Sequence, residues 1–340
     1  MENLIEVVRG GTSESRHRGF VAIADSEGQP VFTSGPLETD AVSFLRSSAK
    51  PIQALPLLES GAADRFGLSE AEIALACSSH NGEDAHVKGV QAMLDKGGLL
   101  ADQLLCGTHP PYHAPTVERI LRQNQDFSVL HSNCSGKHTG MLLICKHLGF
   151  PTERYNEPDH PLQQLLLRTV SQVATMPADQ LATGMDGCSV VCFGMTTLQM
   201  ATIFARLADP AWFERNQQPE RATAVRRITT AMIQYPFMVS GTGRTDLDLM
   251  EAAPGRVVSK AGAEAVWCMS FPQSRVGLAV KVEDGAARAH ATIVAHALRQ
   301  THLLTQTEID IFAAKQIQPL RNVRGLPIGE YRPAFTMHAW

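Results

Sequence analysis

The sequence predicts an α+β fold in which one antiparallel sheet is built from both chain ends and a mostly helical segment lies between them. Two observations lead there. Strand-like runs at 19–25 and 30–34 open the chain and return at 256–260, up to Phe271, and at 276–282. Between them the apolar spacing is helical at 85–96, 115–125, 139–147 and 161–174. No internal repeat or low-complexity segment interrupts this plan. The expected organisation is a single unit over 1–340, with the sheet part at roughly 1–45 and 245–340 and the mostly helical middle at 46–244.

Each element has a local reason. The two opening strands are joined by Ser26-Glu-Gly-Gln29, a turn composition. The run Phe44-Leu-Arg-Ser-Ser-Ala-Lys50-Pro51 reads as a helix start, because proline's missing amide has no intrahelical partner in a first turn. Pro56 then kinks or shortens that helix. Gly149 follows the helix predicted at 139–147, a usual stop. Two short apolar runs, 73–77 and 189–193, read as buried strands among the helices. Phe271-Pro-Gln-Ser-Arg275 reads as a hairpin turn, and Glu283-Asp-Gly-Ala286 leads into an Ala-rich helix that reaches about Leu304.

Composition excludes several functions. The formal charge is -4 and only eight residues are lysine, so no basic run matches a nucleic acid or an anionic membrane surface. The most apolar tract, 184–208, carries Asp186, Gln199 and Arg206 and is no membrane span. The opening Met-Glu-Asn-Leu-Ile-Glu lacks the basic and apolar regions of a signal peptide, so the expected location is cytoplasmic. Seven cysteines, an odd number, suggest reduced thiols, some of them available as metal ligands.

Five stretches can carry chemistry. In Ser47-Ser-Ala-Lys50, residues three apart share a helix face, so the amine can reach the hydroxyl and act as its base. Free amides at a helix start can also hold an oxyanion. A Ser-x-x-Lys alone also arises by chance. Ser78-Ser79-His80-Asn-Gly82 follows a predicted buried strand, a position that faces a crevice, though it also suits an ordinary turn. Val257-Val-Ser-Lys260-Ala-Gly262 completes the layout of the serine β-lactamase and penicillin-binding group, except that Ala261 replaces the usual hydroxyl residue. His131-Ser-Asn133-Cys134-Ser-Gly-Lys137-His138 opens a helix and Asp186-Gly-Cys188 opens a strand. Their two thiols with nitrogen donors suit zinc, although the spacing matches no common zinc finger and buried cysteines are common core residues. His109 and His113 read as parts of a rigid proline-rich loop.

Taken together, the segments Arg46-Ser-Ser-Ala-Lys-Pro-Ile-Gln-Ala-Leu-Pro56, Cys77-Ser-Ser-His-Asn-Gly-Glu83, Asn133-Cys-Ser-Gly-Lys-His138, Met185-Asp-Gly-Cys188, Gly241-Thr-Gly-Arg244 and Lys260-Ala-Gly-Ala-Glu264 resemble the ordered motif set of the rhizobial-type, class 3 L-asparaginases. The likeness extends to Val282-Glu-Asp-Gly285 and to Arg321-Asn-Val-Arg-Gly325.

The resemblance implies a serine β-lactamase/glutaminase-like fold, a homodimer and hydrolysis of L-asparagine to aspartate and ammonia. It implies two serine–lysine pairs, Ser47 with Lys50 and Ser79 with Lys260, and a Zn2+ site at Cys134, Lys137 and Cys188. Substrate contacts are expected from Arg46, His80, Asn133, Asp186, Gly243 and Arg244, with Arg244 suited to a carboxylate and Asp186 to an ammonium. Either serine can be the nucleophile, and the helix-start position favours Ser47. Rival readings are a β-lactam, peptide or glutamine amidohydrolase, and a non-catalytic, zinc-dependent amino-acid-binding protein.

Overall fold

The computed structural model describes residues 1–340, which divide into two compact units. Unit 1 takes 1–48, 195–209 and 248–340, and unit 2 takes 49–194 and 210–247. The strands in chain order are β1 (Glu2–Arg9), β2 (Thr12–Asp25), β3 (Pro30–Thr33), β4 (Ser43–Phe44), β5 (Ala182–Met185), β6 (Val191–Met195), β7 (Val258–Gly262), β8 (Val266–Phe271), β9 (Val276–Val282), β10 (Leu320–Arg321), β11 (Pro327–Pro333) and β12 (His338–Ala339).

Unit 1 is an antiparallel sheet in the order β10-β11-β1-β2-β9-β8-β7, with β3 branching from β2 to pair with β12. Val7 stands opposite Tyr331 across β1 and β11, and Val21 opposite Val280 across β2 and β9. Both chain ends therefore enter one sheet, and the fold is the α+β class the sequence predicts. The helix Thr197–Ala208 packs on β2 and β9, which is why β9 and the second half of β2 are buried rather than alternating. Thr196 and Gln199 form a capping box at its start, and the Asp40 carboxylate accepts from the amides of Thr197 and Leu198. Residues 195–209 thus belong with the sheet although sequence position puts them in the middle segment. No helix is long and apolar enough to cross a membrane.

Unit 2 is built around the helix Ser135–Leu148, whose residues Ser135 to Cys145 are all buried. Cys134 stands at its N-cap and Gly149 ends it. The helices Glu70–Ala76, Asp84–Gly97, Pro161–Ala174 and Pro219–Gln234 surround it or pack on its neighbours. One expectation is corrected here: residues 73–77, read as a buried strand, lie in and just after the helix Glu70–Ala76. A short apolar run fits either state, and the deciding signal is the capping box between Ser69 and Glu72. Pro51 occupies the first turn of the helix Lys50–Gln53, as expected, and Pro56 lies in the first turn of a second helix, Leu55–Glu59. The run 189–193 enters β6, which pairs with β5 as a hairpin whose tip carries Asp186 to Ser189.

The crossing of Ser135–Leu148 over Glu70–Ala76 depends on Gly136. A Cβ there would lie 2.4 Å from the Leu75 carbonyl oxygen, so only glycine allows the approach. Gly136→Ala should destabilise the protein by about 1–3 kcal/mol through forced separation of the two helices. Urea denaturation of the variant beside wild type measures this, and an unchanged midpoint would refute it.

Candidate active site

The turn after Glu70–Ala76 presents Ser79. The Ser79 amide donates to Val239 O (2.9 Å) and the His80 amide to Asn133 O (3.2 Å), so the turn is held from two sides. Lys50, 1% exposed, reaches this turn from the helix Lys50–Gln53. Its Nζ lies 2.6 Å from Ser78 O, 2.8 Å from Ser79 Oγ and 3.5 Å from Asn133 O. Beside these oxygens, Lys50 is also hydrogen-bonded to the Cys134 thiol. An amine in the neutral form can give its hydrogens to the two carbonyls and turn its lone pair to the hydroxyl.

Two buried histidines brace the turn. The Gly82 amide donates to His80 Nδ1 (3.1 Å), which puts the ring proton on Nε2, 2.9 Å from Ser135 Oγ. The Glu83 amide donates to His86 Nδ1 (3.2 Å), and His86 Nε2 donates to Phe237 O (3.0 Å). The rings of His80 and His86 stack at 5.0 Å, and His86 stacks on Phe237 at 4.7 Å. Burial, with the neighbouring His86 and Lys50 charges adding to it, holds His80 well below the ordinary histidine range. Burial also lowers His86, against the bond to Phe237. His80, a predicted substrate contact, therefore has both ring nitrogens engaged within the protein.

Arg244 lies on a loop that returns to the same turn. Its Cζ is 5.3 Å from the Tyr112 ring centre, and Nη1 is 3.5 Å from Asn81 Oδ1. Gly243, also predicted, is exposed beside it with φ +72°. Asn133 is half-buried. Its amide donates to His109 Nε2 (3.0 Å), and His109 donates from Nδ1 to Pro110 O (2.7 Å).

The thiol cluster adjoins Lys50. Lys137 Nζ lies 2.9 Å from Cys188 Sγ, and Cys134 and Cys188 are hydrogen-bonded to each other. Cys134 is the thiol held low. The bond from Cys188 is the main cause, burial opposes it, and the Lys50 and Lys137 charges assist. Cys188 is pushed up by the same bond and by burial. Burial works against the Lys137 charge, but Cys188 and Cys134 raise its pKa overall, with Asp186 adding to the effect. No group of three His, Cys, Asp or Glu side chains has metal-ligand placement. A metal at this place would take Lys137 as its third protein donor, in the deprotonated form. Two buried sulfurs, one drawn towards thiolate, fit the donor preference of zinc, and the adjoining amine would have to give up the proton that they hold on it.

Ser47, in unit 1, is half-buried and lies in the 3-10 turn Arg46–Ala49. The next hydroxyl, Ser48 Oγ, donates to Lys260 O (2.8 Å) and fastens the turn to β7. Lys260 is fully buried, with Nζ 2.6 Å from Ala261 O. Arg46 approaches Glu264 at 3.9 Å.

Unit 2 thus brings together Lys50, Ser79 and Asn133, and separately Cys134, Lys137, Cys188 and Asp186. Sequence reasoning missed Asn81, Glu83, His109 and Tyr112. The first two follow Ser79 within one quoted motif, and the last two lie in the stretch read as a rigid proline-rich loop. Buried Cys106 neighbours Cys134. Burial pushes its thiol up and Cys134 adds to the shift.

A lysine amine against a serine hydroxyl in a braced turn is equipment of acyl-transfer enzymes. The chain belongs to the L-asparaginase II family, whose sequence profile matches residues 5–333. That membership supports an asparaginase-type amidohydrolase acting on a small molecule. No curated protein matches the chain. Among solved structures it is similar to a “putative beta-lactamase from Bacteroides dorei DSM 17855”, with 14% identity and a TM-score of 0.43, over 83% of this chain and 93% of that one. It is also similar to a structure of “Mglu in its tris and glutamate form”, with 14% identity and a TM-score of 0.36, over 88% of this chain and 63% of that one.

The buried histidines give stability a pH dependence. Their folded-state pKa values lie below the ordinary 6.5, so the unfolded chain binds more protons at acid pH. Their contribution is complete above the unfolded value and is lost as pH falls below it. The unfolding free energy should drop by up to about 1.4 kcal/mol per pH unit for each histidine below pH ~6.5. Denaturation series between pH 5 and 8 test this, and a flat profile from 5 to 6.5 would contradict it.

Proposed function

We propose that the protein is an L-asparaginase that cleaves the side-chain amide of L-asparagine through a serine acyl-enzyme. The observation that carries this reading is the buried contact between Lys50 Nζ and Ser79 Oγ. Ser47, three residues ahead of Lys50 in the chain, is assigned as the attacking hydroxyl. Lys50, as the neutral amine, takes the Ser47 proton while the oxygen bonds to the amide carbon. Ser79 passes a proton from Lys50 to the departing nitrogen. Ammonia leaves, and Lys50 then deprotonates the water that attacks the β-aspartyl ester and returns that proton to Ser47 Oγ as the ester bond breaks and aspartate forms. Lys260 is assigned to the same relay on the family resemblance. Arg244 is suited to the α-carboxylate and Asp186 to the α-ammonium. Cys134, Lys137 and Cys188 would hold zinc, which when bound would supply a Lewis-acidic centre that fixes the two thiolates in place beside Lys50.

Ammonia release from asparagine should exceed that from glutamine. Ser47→Ala and Lys50→Met should each lower kcat by at least about a thousandfold, because members of one catalytic unit are not additive. Mass spectrometry after trapping with a diazo-ketone analogue of asparagine should find the label on Ser47. Label on Ser79 that persists in Ser47→Ala would exchange the two serine roles, and no ammonia from asparagine would end the reading.

For the metal, protein purified without chelator should carry about one zinc per chain, given the structural preference of thiolates. Elemental analysis should find it absent from the Cys134→Ser, Cys188→Ser double variant. Retention there would move the site elsewhere.

A further inference from the structure

The turn from Ser79 to Glu83 does two jobs. Its first residue meets Lys50, and its later residues hold the loop that carries Arg244. Glu83 Oε1 accepts from the Thr242 amide (2.8 Å) and Glu83 Oε2 from Thr242 Oγ1 (2.8 Å). Asn81 Nδ2 donates to Thr242 O (2.9 Å) and approaches Glu83 Oε1 at 3.3 Å. The peptide groups on both sides of Thr242 are therefore clamped. The loop closes on itself through the Arg244 amide and Gly241 O (3.2 Å).

Gly241 shows how close the clamp is. Its φ is +109°, and a Cβ would lie 2.5 Å from Glu83 Oε1 and 2.9 Å from both Asn81 Nδ2 and His86 Cε1. The other side of Arg244 is fixed from the same turn, because the Tyr112 amide donates to Asn81 O (2.9 Å) while the Tyr112 ring faces the guanidinium. Asn81 thus reaches both supports of Arg244 and Arg244 itself. The path from the Ser79 hydroxyl to the Arg244 guanidinium is one short turn and two clamps, with little freedom to lengthen.

We propose that Asn81 and Glu83 are positioning residues that fix the spacing between Ser79 and Arg244 and so select asparagine over glutamine. This rests on the asparaginase reading above. In that reading Ser79 delivers a proton at the side-chain nitrogen and Arg244 holds the α-carboxylate, so their separation measures substrate length. Glutamine is longer by one methylene, a difference that a rigid site turns into about 10–200-fold discrimination. A loosened clamp lets the Arg244 loop retreat and admits the longer chain.

The test is steady-state kinetics on asparagine and glutamine for wild type, Glu83→Ala, Glu83→Gln and Thr242→Val. Glu83→Ala should narrow the ratio of kcat/KM values by about tenfold, chiefly through a higher KM for asparagine. Thr242→Val removes one bond of the clamp at an exposed residue and should narrow the ratio by a smaller factor. Glu83→Gln keeps the side-chain length and an acceptor, and should recover most of the wild-type ratio. If Glu83→Ala fails to fold, Thr242→Val decides the matter. An active wild type with the ratio unchanged in Thr242→Val and Glu83→Ala, or in Thr242→Val where the alanine variant does not fold, overturns the clamp alone. A wild type silent on asparagine overturns the underlying reading instead.

Discussion

Lys50 is the constraint on which the rest of unit 2 depends. An amine buried to 1% exposure is costly unless each hydrogen finds an acceptor. Its partners come from two turns far apart in sequence, Ser78 and Ser79 after one helix and Asn133 before another. Both turns must stand at the right distance together, and that distance is set by the helix crossing at Gly136. The amine's surroundings are therefore a property of backbone packing, and no side-chain adjustment alone can restore them.

The polar groups around this centre fall into two kinds. His80 and His86 are neutral rings whose hydrogen bonds run to backbone or hydroxyl partners. They stiffen the turn without adding charge to it. Lys137, Cys134 and Cys188 instead trade charge among themselves, and each shifts the others. Lys50 is hydrogen-bonded to both Cys134 and the serine turn, so a change in the thiol cluster is felt at that turn. Glu83 is a third case. Burial works against its charge, yet the two Thr242 bonds hold its pKa below the ordinary carboxylate value. Its ionised form is the one that clamps the loop.

Much of the fold was legible because strand-like runs at the two ends could pair only across the helical middle. Two neighbouring strands on one side of the sheet were less so: β1 and β11 carry charged residues such as Glu6, Arg9, Glu330 and Arg332, and this blurs their alternation. At 73–77 an apolar run hid a helix. The serines, lysines and thiols were legible as motifs, but the contact of Lys50 with Ser79 was not, since residue spacing cannot show which turn meets a helix from elsewhere. Asn81 and Glu83 escaped notice for another reason. Asn, Gly and Glu after a serine have the composition of any turn, and only the return of the 240–244 loop gives them a task.

The pairing of β2 with β9 has a consequence for how the chain acquires its structure. Val21 must find Val280, and Val7 must find Tyr331, so the central strand waits for segments more than 250 residues later. During synthesis at about 5–20 residues per second, that wait exposes the apolar run 20–24 for tens of seconds. Most of unit 2 meets no such delay, because its helices contact one another within the span 49–194. The order of assembly is thus written into the topology. The helical unit gathers early, and the sheet closes last, around a strand made among the first.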